Sequence, residues 1–279
     1  MKLLNPVLPP QTVQARGLRA VVLDWAGTTV DFGSLAPART LQKVFAGLDI
    51  VLTDSEARRD MGLPKKNHIA ALLQMPRVRD TWQLLRGCAP GHADTEEIYR
   101  KFIPLQLSCL VEYSTLIPGV VAAVAGFRRR GLKIGSSTGY TRAMLDLLLE
   151  SSAKAAYRPD CGLTPEEVGA GRPYPFMMYE NAVRLQVYPL AAIAKIGDTP
   201  ADIQEALNAG SWAIGVAGTG NGIGLSQTDF HALSPVERER RLAEAHAELQ
   251  NAGAHYVVDS LAEVDAVLDD INERLASKP

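Results

Sequence analysis

The sequence predicts an α/β fold, in which a Rossmann-like core built on a parallel sheet carries an inserted α-helical cap domain. Two observations support this prediction. From Gly17 onward, short apolar runs alternate with longer amphipathic segments, which is the pattern of parallel strands joined by crossover helices. That alternation stops between residues 35 and 112, where every periodic segment has helical spacing.

Five short apolar runs are the predicted strands, and glycines such as Gly131, Gly197 and Gly210 separate them from the neighbouring segments. The predicted strands cover residues 20–23, 132–136, 192–196, 212–216 and 255–258. Apolar stripes at helical spacing predict helices between them, over residues 120–130, 142–151, 175–185, 200–208 and 235–251.

The stretch between the first two predicted strands is helical throughout. Its predicted helices cover residues 38–46, 55–60, 64–74, 78–86 and 95–112. We therefore predict two domains: residues 1–34 together with 113–279 form the core, and residues 35–112 form the helical cap. The insertion leaves the core beside the loop that follows the first strand, so it can cover a site at the strand ends.

Composition limits the classes of function. The chain has 279 residues, 47% of them hydrophobic, and a net charge of −2, so nothing favours nucleic acid or an anionic membrane as a partner. No apolar run reaches membrane-spanning length. Residues 1–17 contain three prolines and no signal-peptide core, and we expect a flexible lead-in and a cytoplasmic location. The three cysteines are too few for a disulfide framework and are predicted to be buried thiols in a reducing compartment.

Residues 24–31, Asp-Trp-Ala-Gly-Thr-Thr-Val-Asp, are the most informative stretch of the chain. They directly follow the first predicted strand. An aspartate that leaves a buried strand into a glycine turn lies where α/β proteins build their sites. Asp24 is therefore the leading candidate for a functional carboxylate, and the residue two places after it is Ala26.

Polar residues also follow two other predicted strands or precede a predicted helix, at residues 136–139, 171–173 and 197–202. Each group has a use at a phosphorus centre: carboxylates attack phosphorus or bind Mg²⁺, while hydroxyls, turn amides and a cation hold phosphoryl oxygens. Each group alone is better explained as a turn former, a helix cap or a solvated charge. Their order and strand context together favour a phosphoryl-transfer site.

These elements resemble those of the haloacid dehalogenase superfamily, over residues 18–24 and about 118–271. The resemblance implies a nucleophile at Asp24, a phosphate-binding hydroxyl at Thr138, a cation at Arg172, and Mg²⁺ held by Asp24, Asp198 and the backbone carbonyl of Ala26, with Asp202 and Thr199 supporting the metal site. In most enzymes with this motif the place of Ala26 holds a second aspartate, which protonates an oxygen leaving group. Its absence suggests chemistry that needs no such proton.

The inserted segment offers a candidate for that chemistry. Pro64 suits the first turn of a helix, so Lys65 is expected beside the positive end of the helix dipole, which lowers the pKa of a lysine. His68, three residues on, shares a face with it. A lysine of lowered pKa with an imidazole nearby suits imine formation with an aldehyde. A solvated basic turn is the alternative, and periodicity does not choose between Lys65 and Lys66.

Together with Ala26, this segment resembles the phosphonoacetaldehyde hydrolase family, also called phosphonatases. The matching residues are 24–33, Met61-Gly62-x-x-Lys65-x-x-His68, 136–142, 171–175 and 195–199, and the resemblance extends over nearly the whole chain from Leu18. It implies a homodimer, an imine at Lys65 with His68 as proton shuttle, and a substrate site formed by Gly27, Thr28, Met61, Thr138, Gly139, Tyr140 and Arg172. Ser34 stands where some members have cysteine, and Lys66 adds a charge that would lower the pKa of Lys65 further.

The resemblance implies hydrolysis of the carbon–phosphorus bond of phosphonoacetaldehyde to acetaldehyde and phosphate, with Mg²⁺ as cofactor. Lys65 would form an imine that accepts the electrons of the breaking bond, and Asp24 would carry the phosphoryl group. Closure of the cap would bring the two residues together and exclude water. Two other hypotheses about function stay open. The chain could be a phosphomonoester phosphatase or mutase of the same superfamily, or a sensor that binds a phosphorylated metabolite without catalysis.

Overall fold

Six strands form one parallel sheet. The computed structural model describes residues 14–277, so most of the predicted lead-in at residues 1–17 lies outside the described residues. The strands are β1 Ala20–Leu23, β2 Lys133–Ser137, β3 Cys161–Leu163, β4 Ile193–Gly197, β5 Trp212–Val216 and β6 Tyr256–Val258. Their order in the sheet is β3-β2-β1-β4-β5-β6, and every neighbouring pair is parallel.

The centre of the sheet determines where a site can form. β1 lies between β2 and β4, and Leu23 at its end pairs with Ser136 and Ile196. All four residues of β1 are buried, as expected of a strand covered on both faces. Because parallel strands end at the same edge, Asp24, Thr138 and Asp198 leave the sheet side by side.

Five helices lie within the predicted insertion, residues 35–112. They are α1 Leu35–Ala46, α2 Asp54–Arg58, α3 Lys65–Gln74, α4 Pro76–Arg86 and α5 His92–Leu110. α1 and α3 both pack on α5, and their buried apolar residues are continuous with the hydrophobic core of the sheet. α3 begins one residue later than expected, because Pro64 occupies the position before the helix rather than its first turn.

The remaining helices cover the sheet. They are α6 Val120–Arg129, α7 Arg142–Lys154, α8 Pro165–Val168, α9 Phe176–Leu185, α10 Pro200–Ala209, α11 Gln227–Ala232, α12 Pro235–Asn251 and α13 Val264–Ala276. The predicted strands and helices all occur, with ends shifted by at most a few residues. β3, α8, α11 and α13 were not among the predicted elements.

The α/β fold with an inserted helical region is confirmed. Among residues 14–277, no helix combines the length and the apolar character that crossing a membrane requires. The expectation of three buried thiols is wrong in detail, because Cys88 is exposed and Cys109 and Cys161 are only partly covered; all three are free.

Candidate active site

A small cavity opens at the carboxyl edge of the sheet, between the end of β1 and the N-terminus of α3. Its lining residues are Asp24, Ala26, Ser34, Met61, Gly62, Lys65, Thr138, Gly139, Tyr140, Arg172 and Thr199. The cavity thus brings together the predicted nucleophile and the predicted imine-forming lysine, one from the core and one from the insertion. The other predicted site residues, Gly27, Thr28, His68, Asp198 and Asp202, lie outside this lining.

A tight turn follows Asp24 and fixes its surroundings. The hydroxyl of Thr29 donates to the backbone carbonyl of Asp24 at 3.0 Å. Gly27 has φ 84°, and a Cβ there would lie 2.1 Å from Oδ2 of Asp198, so this turn requires glycine. The hydroxyl of Thr28 donates to Oδ1 of Asp198 at 3.1 Å. Gly27 and Thr28 therefore contact Asp198 rather than the cavity.

Thr138 and Gly139 reach the cavity from the loop after β2. Thr138 is buried, and its hydroxyl accepts from the backbone N–H of Tyr140 at 3.2 Å. The alternative role, capping the next helix, belongs instead to Thr141, whose hydroxyl accepts from the backbone N–H of Met144. Thr138 consequently remains at the cavity wall.

Arg172 is buried and anchored to the nucleophile. Its Nη2 donates to Oδ1 of Asp24 at 2.6 Å, its Nη1 lies 3.0 Å from Oδ1 of Asp202, and its Nε donates to Glu205 at 3.2 Å. Burial alone would lower the pKa of Arg172, but the carboxylates of Asp202, Asp24 and Glu205 raise it above its ordinary value. The guanidinium therefore stays charged and holds Asp24 in one orientation.

Glu205 and Lys195 complete a buried ionic cluster that sequence reasoning did not assign to the site. The ammonium of Lys195 lies 2.9 Å from Asp202 and 3.5 Å from Glu205, and it donates to the hydroxyl of Ser137 at 2.8 Å. That hydroxyl donates in turn to Glu205 at 3.0 Å. Glu205 lies on α10 one turn after Asp202, and this helical spacing was a usable signal.

The buried carboxylates fit a divalent cation. Asp24, Asp198 and Asp202 each offer an oxygen, and these oxygens lie within 4.8 Å of one another. Asp202 is already paired with Arg172 and Lys195, so Asp24 and Asp198 are the freer ligands. Asp24, Asp202 and Glu205 pair with Arg172 or Lys195, whereas Asp198 forms no ion pair with either cation among the described residues.

The protonation of Asp198 supports the same conclusion. Burial raises the pKa of Asp198 well above its ordinary value, and repulsion from Asp24 and Asp202 raises it further. A bound cation would remove this repulsion and would favour the ionised carboxylate. The buried aspartate cluster can therefore hold a metal ion, and oxygen ligands of this kind suit a hard cation.

Lys65 occupies the first position of α3 and is only 5% exposed. Its ammonium lies 3.8 Å from Sδ of Met61 and 5.2 Å from the ring centre of Tyr140. Burial lowers the pKa of Lys65 from 10.5 to about 8; Asp24 opposes that shift and the charge of Arg172 adds to it. Lys65 is therefore the group in this cavity that can become a neutral amine near physiological pH.

The neighbouring lysine has a different environment. The ammonium of Lys66 lies 2.6 Å from Glu96 and 5.5 Å above the ring of Tyr99, and its side chain is 44% exposed. The expectation that Lys66 lowers the pKa of Lys65 is therefore not supported, because the cationic contribution comes from Arg172.

His68 lies one turn after Lys65 and is completely buried. Burial lowers the pKa of His68 to about 3, and the charge of Lys65 contributes to the same shift. The imidazole is therefore neutral, and it is not among the residues that line the cavity.

Glycines allow the insertion to approach the core closely at this cavity. Gly62 has φ 91°, and a Cβ there would lie 2.3 Å from Oγ1 of Thr199. From the core side, a Cβ at Gly139 would lie 2.6 Å from the carbonyl oxygen of Leu63. Substitution at either position would force the two surfaces apart.

Comparison with known proteins agrees with this geometry. A family model described as haloacid dehalogenase-like hydrolase matches residues 18–210. A phosphonoacetaldehyde hydrolase of Syntrophobacter fumaroxidans is 43% identical over 93% of this chain and 94% of its own, and one of Bacillus cereus is 40% identical over 92% and 97%. The crystal structure of a phosphonoacetaldehyde hydrolase-like protein from Oleispira antarctica has a TM-score of 0.93 at 37% identity, covering 98% of this chain and 100% of that one. The chain therefore belongs to the phosphonoacetaldehyde hydrolase family within the haloacid dehalogenase-like hydrolases.

Proposed function

We propose that this chain hydrolyses the carbon–phosphorus bond of phosphonoacetaldehyde to acetaldehyde and phosphate. The observation that carries the proposal is the shared cavity, in which Asp24 faces the same small space as Lys65 with its lowered pKa. The names of the relatives from S. fumaroxidans and B. cereus support this choice of substrate.

Lys65 would act first, condensing with the aldehyde and releasing one water. With a pKa of about 8, roughly a tenth of its side chains are uncharged at pH 7, so a nucleophilic amine is present. The face of the Tyr140 ring beside it favours the iminium cation that follows. His68, buried one turn after Lys65 on α3, is the proposed proton shuttle of this step.

Asp24 would then attack phosphorus. As the carbon–phosphorus bond breaks, its electron pair moves into the iminium and gives an enamine, while the phosphoryl group remains on Asp24 as an acyl phosphate. Protonation of the enamine and hydrolysis release acetaldehyde and restore Lys65. A second water hydrolyses the acyl phosphate and releases phosphate.

The phosphonate oxygens need donors, and the cavity supports part of the predicted set. We assign this role to Thr138, to Arg172 and to the backbone N–H of Gly139, with Met61 and Tyr140 enclosing the two-carbon part. The backbone N–H groups of Gly27 and Thr28 already donate to the carbonyls of Val30 and Trp25, so these two residues shape the turn after Asp24 instead. Arg172 already holds Oδ1 of Asp24 at 2.6 Å, so the same guanidinium orients the nucleophile.

We propose Mg²⁺ as the cofactor of the buried aspartate cluster. Asp24, Asp198 and the backbone carbonyl of Ala26 would bind it, and Asp202 and Thr199 would support those ligands. Thr199 caps α10 and donates to Oδ2 of Asp202 at 2.6 Å, which fixes that carboxylate beside the cluster. When bound, the ion would neutralise charge between the carboxylate nucleophile and the phosphonate.

Ala26 supports cleavage of a carbon–phosphorus bond over cleavage of a phosphate ester. It lines the cavity two residues after Asp24, and its methyl group offers no proton to a departing alkoxide. The electron pair of a carbon leaving group needs an acceptor instead, and an iminium at Lys65 is such an acceptor.

We propose that residues 35–112 act as a cap over the core formed by residues 1–34 and 113–279. The contacts of Gly62 and Gly139 support this division, since they join the insertion to the core around the cavity. Because Lys65 is nearly inaccessible in this closed arrangement, the cap has to open for substrate to enter.

We further propose a homodimer formed through α9. An exposed apolar surface follows this helix, consisting of Tyr174, Phe176, Tyr179, Val183 and Tyr188. The rings of Tyr174 and Phe176 stack with centres 5.7 Å apart, and a large exposed apolar patch is typical of an interface. Val183→Asp should yield monomers in analytical ultracentrifugation, whereas Val236→Asp, on the surface of α12, should not.

The free thiols suit a reducing compartment, which supports the predicted cytoplasmic location. In an oxidising compartment, the exposed thiol of Cys88 would be open to oxidation. Fusion of the chain to a fluorescent protein and imaging in its host would test this proposal, and a signal outside the cytoplasm would contradict it.

The first test is release of acetaldehyde and phosphate from phosphonoacetaldehyde with Mg²⁺, for the wild type, Lys65→Arg and Lys66→Arg. We expect equal amounts of both products from the wild type and from Lys66→Arg, and none from Lys65→Arg, because a guanidinium forms no imine. Product formation by Lys65→Arg at the wild-type rate would exclude the imine. Turnover of p-nitrophenyl phosphate in place of phosphonoacetaldehyde would indicate a phosphatase, and stabilisation by substrate without turnover would indicate a sensor.

A further inference from the structure

Arg58 is a buried arginine with no role in the chemistry described above. It ends α2, in the insertion, and its guanidinium reaches into the core. Nη1 donates to the backbone carbonyls of Gly33 at 2.8 Å and Ser34 at 3.2 Å, and to Oδ1 of Asn221 at 3.3 Å. Nη2 donates to the carbonyl of Gly224 at 3.2 Å. A single side chain thus joins the insertion to two separate core segments.

The site that receives Arg58 is built around glycine. Gly224 has φ 65°, and a Cβ there would lie 2.8 Å from Nε of Arg58. Gly33 has φ 81°, and a Cβ there would lie 2.0 Å from the carbonyl oxygen of Leu225. Gly33 and Ser34 are also where the chain leaves the core for α1. Arg58 therefore binds both the connection to the insertion and the core loop beside it.

Asn221 connects Arg58 to the aspartate cluster. Its side-chain amide accepts from Nη1 of Arg58 and donates to the backbone carbonyl of the same residue at 3.2 Å. Its backbone N–H donates to Oδ2 of Asp198 at 2.8 Å. The core loop that receives Arg58 is thus the loop that orients Asp198.

We propose that Arg58 is a positioning residue that latches the helical insertion in its closed position over the core loop of Asn221 and Gly224. The inference rests on the proposed function for its catalytic consequence, since closure places Lys65 opposite Asp24. Arginine suits this task because its planar guanidinium donates hydrogen bonds in several fixed directions from three nitrogens, whereas lysine donates from a single nitrogen. The ion pair of Arg58 with Asp54 lies within α2 and is exposed on one side, so it does not hold the latch.

The cavity contains a reporter for closure that does not depend on activity. Met61 belongs to the insertion, lines the cavity that the insertion shares with the core, and is buried in the closed arrangement. Hydrogen peroxide converts accessible methionine to the sulfoxide, which mass spectrometry of peptides measures. Met75 is buried inside the insertion and Met178 inside the core, so their oxidation reports unfolding of each part.

The experiment compares the rate of Met61 oxidation in the wild type, Arg58→Ala, Arg58→Lys and Arg59→Ala, without substrate. Arg59 is the matched control, since it is adjacent, 54% exposed, and paired only with Asp60 at 3.0 Å among the described ion pairs. Loss of the charged hydrogen bonds of Arg58 should speed Met61 oxidation by about tenfold or more. Arg58→Lys should be intermediate, and Arg59→Ala should match the wild type.

Unchanged Met61 oxidation in Arg58→Ala would overturn the latch. Equal acceleration at Met75 or Met178 would also overturn it, because Arg58 would then maintain the fold rather than the closed position. Asn221→Ala provides a second variant from the core side and should accelerate oxidation at Met61 alone. In the activity assay, kcat/KM should fall in proportion to the closed fraction. If the wild type released no acetaldehyde, the proposed function would fail while the oxidation result still decided the latch.

Discussion

Replacing Lys65 by methionine should stabilise the folded protein at neutral pH. The amine is buried in the cavity, with Met61 and the ring of Tyr140 near it. Burial lowers the pKa of Lys65 from 10.5 to about 8, so at pH 7 the folded state carries an ammonium that the unfolded chain would solvate better. Methionine has a similar length and no charge, and it removes that unfavourable burial.

The magnitude follows from the difference in pKa between the two states. A drop from 10.5 to about 8 corresponds to a destabilisation on the order of 3 kcal/mol at pH values where both states are protonated. The unfolded chain binds more protons than the folded protein between pH 8 and 10.5, so wild-type stability rises with pH through that range. The advantage of Lys65→Met should therefore shrink by about 2 to 3 kcal/mol between pH 7 and pH 10.

Urea unfolding of both proteins at a series of pH values measures this difference. Lys66→Met is the control, because Lys66 is paired with Glu96 at the surface, and its curve should run parallel to that of the wild type. The change of the difference with pH is the decisive quantity, since it does not depend on how well the methionine packs. If the wild-type and Lys65→Met curves run parallel from pH 7 to pH 10, the pKa of Lys65 is not lowered and the amine has no special readiness for imine formation.

Three further predictions concern activity. The free-enzyme pH profile of kcat/KM should rise to a plateau above about pH 8, the pKa of Lys65, and a flat profile between pH 6 and 9 would contradict this. Gly62→Ala should lower kcat/KM by about tenfold or more, because its Cβ would lie 2.3 Å from Oγ1 of Thr199. Gly87→Ala is the control: Gly87 has φ 75° and a Cβ there would have no atom within 4 Å, so this variant introduces backbone strain alone and should stay active. Glu205→Gln should lower kcat by about tenfold, since it removes a buried charge facing two cations, and an unchanged kcat would remove Glu205 from the site.

Much of the fold could be predicted because its strands are strongly apolar and buried. β1 and β5 were predicted to the residue, and the helical insertion was recognised by the lack of any strand pattern. β3 was missed because it is a three-residue edge strand, Cys161–Leu163, too short for a periodic signal. α13 was also missed, although the sequence contains a signal for it. Its buried residues have helical spacing: Val264, Leu268, Ile271 and Leu275.

The sequence predicts the site residues that lie in recognisable motifs, but not the contacts that the fold makes between distant segments. Asp24 and Lys65 could be proposed from their own segments, but only the structure places them in one cavity. Arg58 was not singled out from the sequence, because its partners are the backbone carbonyls of Gly33 and Gly224, and no sequence pattern indicates such acceptors. The cause of the pKa shift at Lys65 was also partly missed: the helix terminus was expected to produce it, but burial dominates.

The same cavity has to keep one cation charged and let another lose its proton, and its contacts explain how. Arg172 is surrounded by carboxylates, which raise its pKa, while the ammonium of Lys65 has a thioether and an aromatic ring as its nearest described partners. Ala26 lines the wall that both residues share. An aspartate there would add a negative charge near the amine and would raise the pKa of Lys65, as Asp24 already does. Alanine at this position therefore has two consequences for the reaction. It omits an acid that a carbon leaving group does not need, and it leaves the pKa of Lys65 low enough for the amine to form an imine.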